Sequence, residues 1–196
     1  MKIHIHVSRG NIKLGTIPNI SLPPIETCPP GVLCAESCYA LKAWRQYPAT
    51  RRAWSENLSV YQHSPFRYFT QLYDWLAKHK PEFFRFHVSG DIPDQRYWAE
   101  AASLCEQFPS VKFLVFTKRF ELDFTVAPSN LSVVLSMWPG HAPPTGFAAT
   151  LPRAWMQDGT EDRVPLDALP CPGNCQTCGA CWGLAQKGLD VVFNLH

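Results

Sequence analysis

The sequence predicts one α/β domain over residues 1–196. Its sheet is mainly parallel, either open or curved into part of a (β/α) barrel, and a cysteine-rich loop at 171–182 lies within it. Three observations lead there. Strand-like runs alternate with helix-periodic runs along most of the chain, the pattern of a sheet covered by helices. Val111 to Thr117 and Ser132 to Met137 are mostly apolar at consecutive positions, as expected of parallel strands buried on both faces. Cys171, Cys175, Cys178 and Cys181 fall within eleven residues of one another, too dense for an ordinary core segment.

Taken in order, residues 1–26 are short β-prone pieces broken by Gly10, Gly15, Pro18 and Pro23-Pro24, with Ile17 to Leu22 as a first strand. Ala35 to Gln46 reads as a helix that ends before Pro48, because the residue before a proline avoids helical backbone. Thr50 is the expected cap of a second helix running to about Gln62. Ser64-Pro65 is a cap followed by proline at the first helical position. The helix it opens carries Phe66, Phe69, Leu72, Tyr73 and Leu76 on one stripe. Phe83 to Ser89 is a strand candidate bounded by Gly90-Asp91, and Asp94 to Gln107 is helical with Trp98, Ala101 and Cys105 on one face. Gly146 to Thr150 is read as a short strand, 151–170 as a polar surface loop, and Asp190 to Leu195 as the last strand.

Composition narrows the class. The chain has 196 residues, of which 46% are hydrophobic and 17% charged, enough for a proper core without disulfides. A formal net charge of +2 marks neither a strong polyanion binder nor a repeller. No run of eighteen apolar residues occurs, so no membrane span or membrane partner is expected. Met1-Lys-Ile-His-Ile-His lacks the apolar core of an export signal, and a cytoplasmic protein is expected. Eight cysteines in a reducing compartment point to metal or redox use and not to a disulfide framework.

The chemistry-bearing residues form three constellations. Cys28, Cys34 and Cys38 are spaced by five and three residues; Cys28 lies in a turn before Pro29-Pro30-Gly31, and Cys34 and Cys38 would share one face of a helix starting near Ala35. Three thiolates leave a tetrahedral zinc site or a four-iron cluster one ligand short. The fourth position is then open, or is filled from elsewhere by a residue such as His87. The second group, Cys171, Cys175, Cys178 and Cys181, has spacings of three, two and two. Close spacing with a nearby proline favours a [4Fe–4S] cluster over the zinc knot that is its alternative. The third is His87-Val-Ser89-Gly90-Asp91, where a strand ends in small residues and a carboxylate able to hold an amine. Its bland reading is a turn in which Asp91 or Asp94 caps the next helix. Cys105 sits on an apolar stripe and reads as a small core residue. Tyr39, Lys42, Trp44, Arg45, Tyr47, Arg51, Arg52 and Trp54 interleave cations with rings, which suits phosphate pairing and base stacking or, more simply, a helix pair with buried rings. Lys118 and Arg119 follow a strand and would face the same pocket as Asp91, where they could bind an anion.

A cysteine trio in a loop after an early strand, with a small-small-acid turn ending the next, resembles the radical S-adenosylmethionine (SAM) enzymes. That resemblance implies that Cys28, Cys34 and Cys38 ligate three irons of a cluster, that SAM occupies the fourth, and that Ser89, Gly90 and Asp91 contact its methionyl amine. The spacing here is wider than is usual in those enzymes, and the acid is Asp91 where a glutamate is more usual. More closely, Asn19-Ile-Ser-Leu-Pro-Pro, Thr27-Cys28, Cys34-Ala-Glu-Ser-Cys38-Tyr39-Ala40-Leu-Lys42, His87-Val-Ser-Gly-Asp91 and the final Cys-x-x-Cys-x-x-Cys181-Trp182 are similar to the phage gene product 88 family, from about residue 11 to 196. The family occurs in phages and mobile elements. Together these readings lead to an iron–sulfur protein with one or two [4Fe–4S] clusters and redox or radical chemistry on a small-molecule ligand. The other class is a non-enzymatic iron–sulfur or zinc protein that binds nucleic acid or a protein partner. The oligomeric state is not legible.

Overall fold

The computed structural model describes residues 4–194. Eight strands form one sheet: β1 (Val7–Ser8), β2 (Asn19–Ile20), β3 (Phe83–Phe86), β4 (Lys112–Thr117), β5 (Leu131–Met137), β6 (Arg153–Gln157), β7 (Leu169–Pro170) and β8 (Val191–Asn194). Their order is β1-β2-β3-β4-β5-β6-β8-β7. The β1–β2 pair is antiparallel and the six other pairings are parallel. Among the described residues no pairing joins β1 to β7, so the strands form an open row.

The sheet is apolar on both faces because alternate residues serve different cores. Phe84, Phe86, Phe113, Val115, Val133 and Leu135 face one side. There they meet α2 (Pro48–His63) and α3 (Pro65–His79) through Leu58, Tyr61, Phe69, Leu72 and Leu76, and α4 (Gln95–Glu106) through Trp98, Ala101 and Cys105. Leu114, Val134, Ala154 and Val191 face the other side, against Leu14, Ile17, Trp182 and Leu184, with Val88, Phe116, Cys175 and Cys181 packed beside them. Burial on this scale stabilises at roughly 25 cal/mol per Å² of apolar surface. β4 and β5 lie where the apolar runs placed them.

The helix caps follow local chemistry. Ser64 Oγ accepts the Arg67 N–H at 3.2 Å, and Pro65 occupies the first turn of α3 as expected. Asp94 caps α4 by accepting the Tyr97 N–H at 2.8 Å. Asn57 is fully buried on α2; its side-chain amide bonds the backbone of His6 and of Ser21, tying the amino-terminal segment to the helices.

Several expectations are corrected. The helix expected from Ala35 begins at Tyr39, as α1 (Tyr39–Gln46). Leu33–Ala35 is a separate 3₁₀ turn, and Cys38 is extended at the N-cap, so Cys34 and Cys38 do not share a helix face. Thr50 does not cap α2: Pro48 starts that helix, its fixed φ suited to the first turn, and Tyr47 holds the cap position. On α3 the buried stripe includes Tyr68, whereas Phe66 is 78% exposed and Tyr73 is 41% exposed. β3 stops at Phe86, because His87 takes a left-handed φ of 55°. Gly146–Thr150 is a 3₁₀ turn, and the strand lies just beyond it, as β6, in the stretch expected to be loop. Leu195, expected to end the last strand, lies outside the described residues. No helix among the described residues is long and apolar enough to cross a membrane.

Candidate functional site

The loop carrying Cys28 is docked on the turn that follows β3. Thr27 Oγ donates to the Pro23 carbonyl at 2.9 Å and accepts the Asp91 N–H at 3.1 Å. Leu22 N–H reaches the Ser89 carbonyl at 3.1 Å. The two segments meet over Gly90, whose φ is 73°; a Cβ there would stand 2.4 Å from Thr27 Oγ and 2.9 Å from the Leu22 carbonyl oxygen. Glycine is therefore required both for the left-handed backbone and for the close approach. The structure thus brings the first cysteine loop and the Ser89-Gly90-Asp91 turn together.

Asp91 is buried, and its carboxylate is already engaged. One oxygen accepts the Thr117 hydroxyl at 2.6 Å and the Ile92 N–H at 2.8 Å; the other accepts the Lys118 N–H at 2.8 Å. These bonds clamp the end of β4 to the turn after β3. Burial pushes the carboxyl pKa up, against the Lys118 charge and the three donors. The Lys118 ammonium lies in the electrostatic field of Cys34, Cys28, Asp91 and Tyr39. Its own burial works against the charge, but those acidic groups outweigh it and hold its pKa above the ordinary lysine value. Burial pushes Cys28 up to about 11, with Asp91 adding to the effect, and raises Cys34 against the pull of Lys118. Both are thiols at neutral pH; a bound metal would favour the thiolates. Arg119 does not face this pocket. Its guanidinium bonds the carbonyls of Ile92 at 2.9 Å and Pro93 at 2.5 Å and pairs with Glu121.

The second cysteine group lies against the opposite, helix-poor face of the sheet. Cys171 N–H donates to Val192 O and Cys175 N–H to Lys13 O, each at 2.8 Å. Asn174 caps α5 (Cys175–Cys178) through the Thr177 N–H. The Cys181 carbonyl accepts the Ser132 hydroxyl of β5 at 2.9 Å, and Trp182 packs edge-to-face with Phe83, centroids 5.1 Å apart. Two short helical turns, Ala180–Gly183 and α6 (Leu184–Lys187), complete this segment. Cys171 and Cys178 are exposed; Cys175 and Cys181 are half-buried. Burial raises Cys175 and pushes Cys181 up to about 12, while the Arg85 charge opposes both shifts. Arg85 stands in the middle of β3, 4.6 Å over the Phe116 ring, with its buried Nε unpaired.

Tyr39 links the two groups. It directly follows Cys38, its hydroxyl donates to the Val88 carbonyl beyond β3, and its phenol feels both Arg85 and Lys118. Burial raises the phenol pKa and the two cations oppose the rise.

All eight cysteines are free thiols. Cys181 has Cys171, Cys175 and Cys178 in its electrostatic neighbourhood, Cys175 has Cys171 and Cys178 in its own, and Cys34 lies beside Cys28 and Cys38. Among the described residues no three His, Cys, Asp or Glu side chains stand close enough together to hold a metal ion as they are arranged. The donor set, soft sulfur in two local groups, fits an iron–sulfur cluster or zinc in chemical type; ligation would require the side chains of each group to turn inward. His87, the candidate fourth ligand, turns its ring toward Tyr97 (5.2 Å) and Phe86 on the helix-covered face, where burial lowers its pKa to about 3. Cys105 is buried in that same core, as expected. An open cleft of about 300 Å³ lies elsewhere, lined by residues that include Gln71, Asp74, Trp75 and His79, and contains no cysteine.

Arg85 went unremarked in the sequence reading, although a cation inside Phe83-Phe84-Arg85-Phe86 is a signal that something anionic is nearby. The molecule defined so far is an α/β protein with two groups of free thiols, one beside the turn after β3 and one over the helix-poor face of the sheet. A comparison with protein-family models matches Gene product 88 over residues 5–184, and the chain belongs to that family. None of the curated proteins and none of the solved structures compared with it matches.

Proposed function

We propose that this gene product 88 protein binds metal through both cysteine groups, as an iron–sulfur protein. Cys171, Cys175, Cys178 and Cys181 would hold a [4Fe–4S] cluster with all positions filled. Cys28, Cys34 and Cys38 would hold a second one with one iron left for an exchangeable ligand, for which SAM is the candidate. The observation that carries this reading is the cation set beside each group: Lys118 on Cys34 and Cys28, and Arg85 on Cys175 and Cys181. Clusters with thiolate ligands are anionic, and a cation in partly desolvated surroundings favours them. When bound, such a cluster supplies one-electron chemistry.

Within this reading Asp91 is a positioning residue, since its carboxylate holds Thr117 and the Lys118 backbone. Ser89 Oγ, buried and without a hydrogen-bond partner, is the polar atom left to meet a ligand, and Lys118 offers the charge for an anionic group on it.

The test is anaerobic purification followed by iron, sulfide and zinc counts and an absorption spectrum. Iron with equal sulfide supports the proposal; zinc alone, or no metal, overturns it. Cys178→Ser should lose one cluster's worth of metal and Cys34→Ser the other. Metal content unchanged in either variant removes that group from the site. In reduced protein, SAM should alter the paramagnetic resonance of the cluster that Cys178→Ser retains, and indifference to SAM would leave a cluster without a substrate role.

A further inference from the structure

We propose that the α1–α2 hairpin is a binding surface for single-stranded nucleic acid. Residues 37–55 contain Lys42, Arg45, Arg51 and Arg52 and no acidic residue. The chain's net +2 therefore divides into +4 on this segment and −2 on the remainder, so a near-neutral total hides a concentrated patch. All four cations are exposed. Arg52 has a loose pair with Glu56 at 3.9 Å and remains 76% exposed, while Glu56 is also taken by His6. Lys42, Arg45 and Arg51 form no ion pair among the described residues.

The aromatic residues divide by role. Trp44 of α1 and Trp54 of α2 stack on each other with centroids 6.1 Å apart, and so hold the two helices together. Tyr47 is the single residue joining the helices, and Tyr39 opens α1; each is 52% exposed. Tyr39 anchors its hydroxyl on Val88 while the residue as a whole stays half-exposed. A buried helix pair accounts for the tryptophans but not for tyrosines presented at both ends of α1 among unpaired cations. Rings beside cations are what unpaired bases and a phosphate backbone require, whereas a duplex keeps its base faces stacked internally. A membrane surface would call for exposed aliphatic or tryptophan side chains on the hairpin, and its exposed large apolar residues are the two tyrosines. Because Cys38 is the N-cap of α1, a strand lying on this surface would run beside the first cysteine group.

The experiment is a titration of the intact protein with labelled oligothymidylate and oligouridylate of equal length, read by anisotropy at several salt concentrations. Four phosphate contacts predict a log–log salt slope of about −3, at ~0.7 per phosphate for single strands. The double variant Arg51→Gln/Arg52→Gln should bind at least tenfold more weakly with a slope shallower by about 1.4. Tyr47→Ala should also lose roughly tenfold but keep the slope, because stacking is not electrostatic. Lys42→Gln gives a third, single-charge reading should the double variant melt early. Tighter binding of one oligomer names the strand as DNA or RNA. Equal binding of a duplex, equal binding of polyglutamate, or unaltered affinity in these variants would overturn the proposal.

Discussion

Cys28, Cys34 and Cys38 hang from a loop locked onto the end of β3. Thr27, Gly90 and Asp91 interdigitate there, and the partly buried Lys118 acts electrostatically on Cys28 and Cys34. Cys171, Cys175, Cys178 and Cys181 sit on a segment laid over the sheet by backbone bonds and one tryptophan, with two of the four thiols open to solvent. The first seat is tight and chemically furnished, with an unpaired serine hydroxyl nearby and one donor too few. The second is looser but has a full set of donors. Group size and burial therefore run in opposite directions, as expected if the fuller set staples the carboxyl-terminal strand and the incomplete one faces a ligand.

The sharpest way to break this contrast is through glycine. Gly90→Ala forces a Cβ to within 2.4 Å of Thr27 Oγ at a φ of 73°. The clash and the backbone strain together should cost at least about 3 kcal/mol. Gly179, between Cys178 and Cys181, also has positive φ (61°), but a Cβ there would meet nothing within 4 Å. Gly179→Ala should cost only the left-handed penalty, about 1 kcal/mol. Urea denaturation of the two variants measures the difference; equal losses would mean that the first seat is no tighter than the second.

Acid should also distinguish them. His87 starts the turn that seats the first group; it is buried with neither ring nitrogen bonded, and burial lowers its pKa from 6.5 to about 3. The unfolded chain therefore binds the proton first as pH falls. The stability contributed by keeping this ring neutral is present above about 6.5 and is lost progressively down to about 3. Between pH 7.5 and pH 5 the loss should be about 2 kcal/mol, and His87→Asn, which tolerates the left-handed backbone, should abolish that part of the slope. A pH dependence identical in the variant would show that the ring is not the source. The carboxyl-terminal group contains no histidine, so acid should loosen the first seat before the second.

How much of this was legible follows from range. β4 and β5 were readable because burial on both faces writes itself as a continuous apolar run. The start of α3 was readable because Ser64-Pro65 is a local signal. β6 was not: Ala154-Trp155-Met156 is only three apolar residues between Arg153 and Gln157, and the strand exists because β5 and β8 flank it. The start of α1 was misplaced because Cys34 and Cys38 have helical spacing, while the backbone breaks at Cys38. The thiol groups were visible from spacing alone. The influence of Lys118 on Cys34 and of Arg85 on Cys181 was not, because it depends on which chain segments the sheet makes neighbours.

The smallest expected effect concerns the cysteine outside both groups. Cys105 is completely buried on α4 in the helix-covered core, among the side chains that separate that helix from the sheet. Its thiol pKa is pushed well above the ordinary value by burial, so it stays protonated and serves as a small apolar filler. Its backbone carbonyl accepts the Asn130 amide at 2.9 Å and the Phe108 N–H at 3.1 Å, and substitution leaves both bonds intact. Cys105→Ala removes one sulfur atom's volume and should cost about 1 kcal/mol or less. It should retain all the metal of the parent protein, in contrast to Cys34→Ser and Cys178→Ser. If Cys105→Ala lost metal, a sulfur on the helix-covered face would have to be a ligand, and the restriction of the ligands to the two cysteine groups would fail with it.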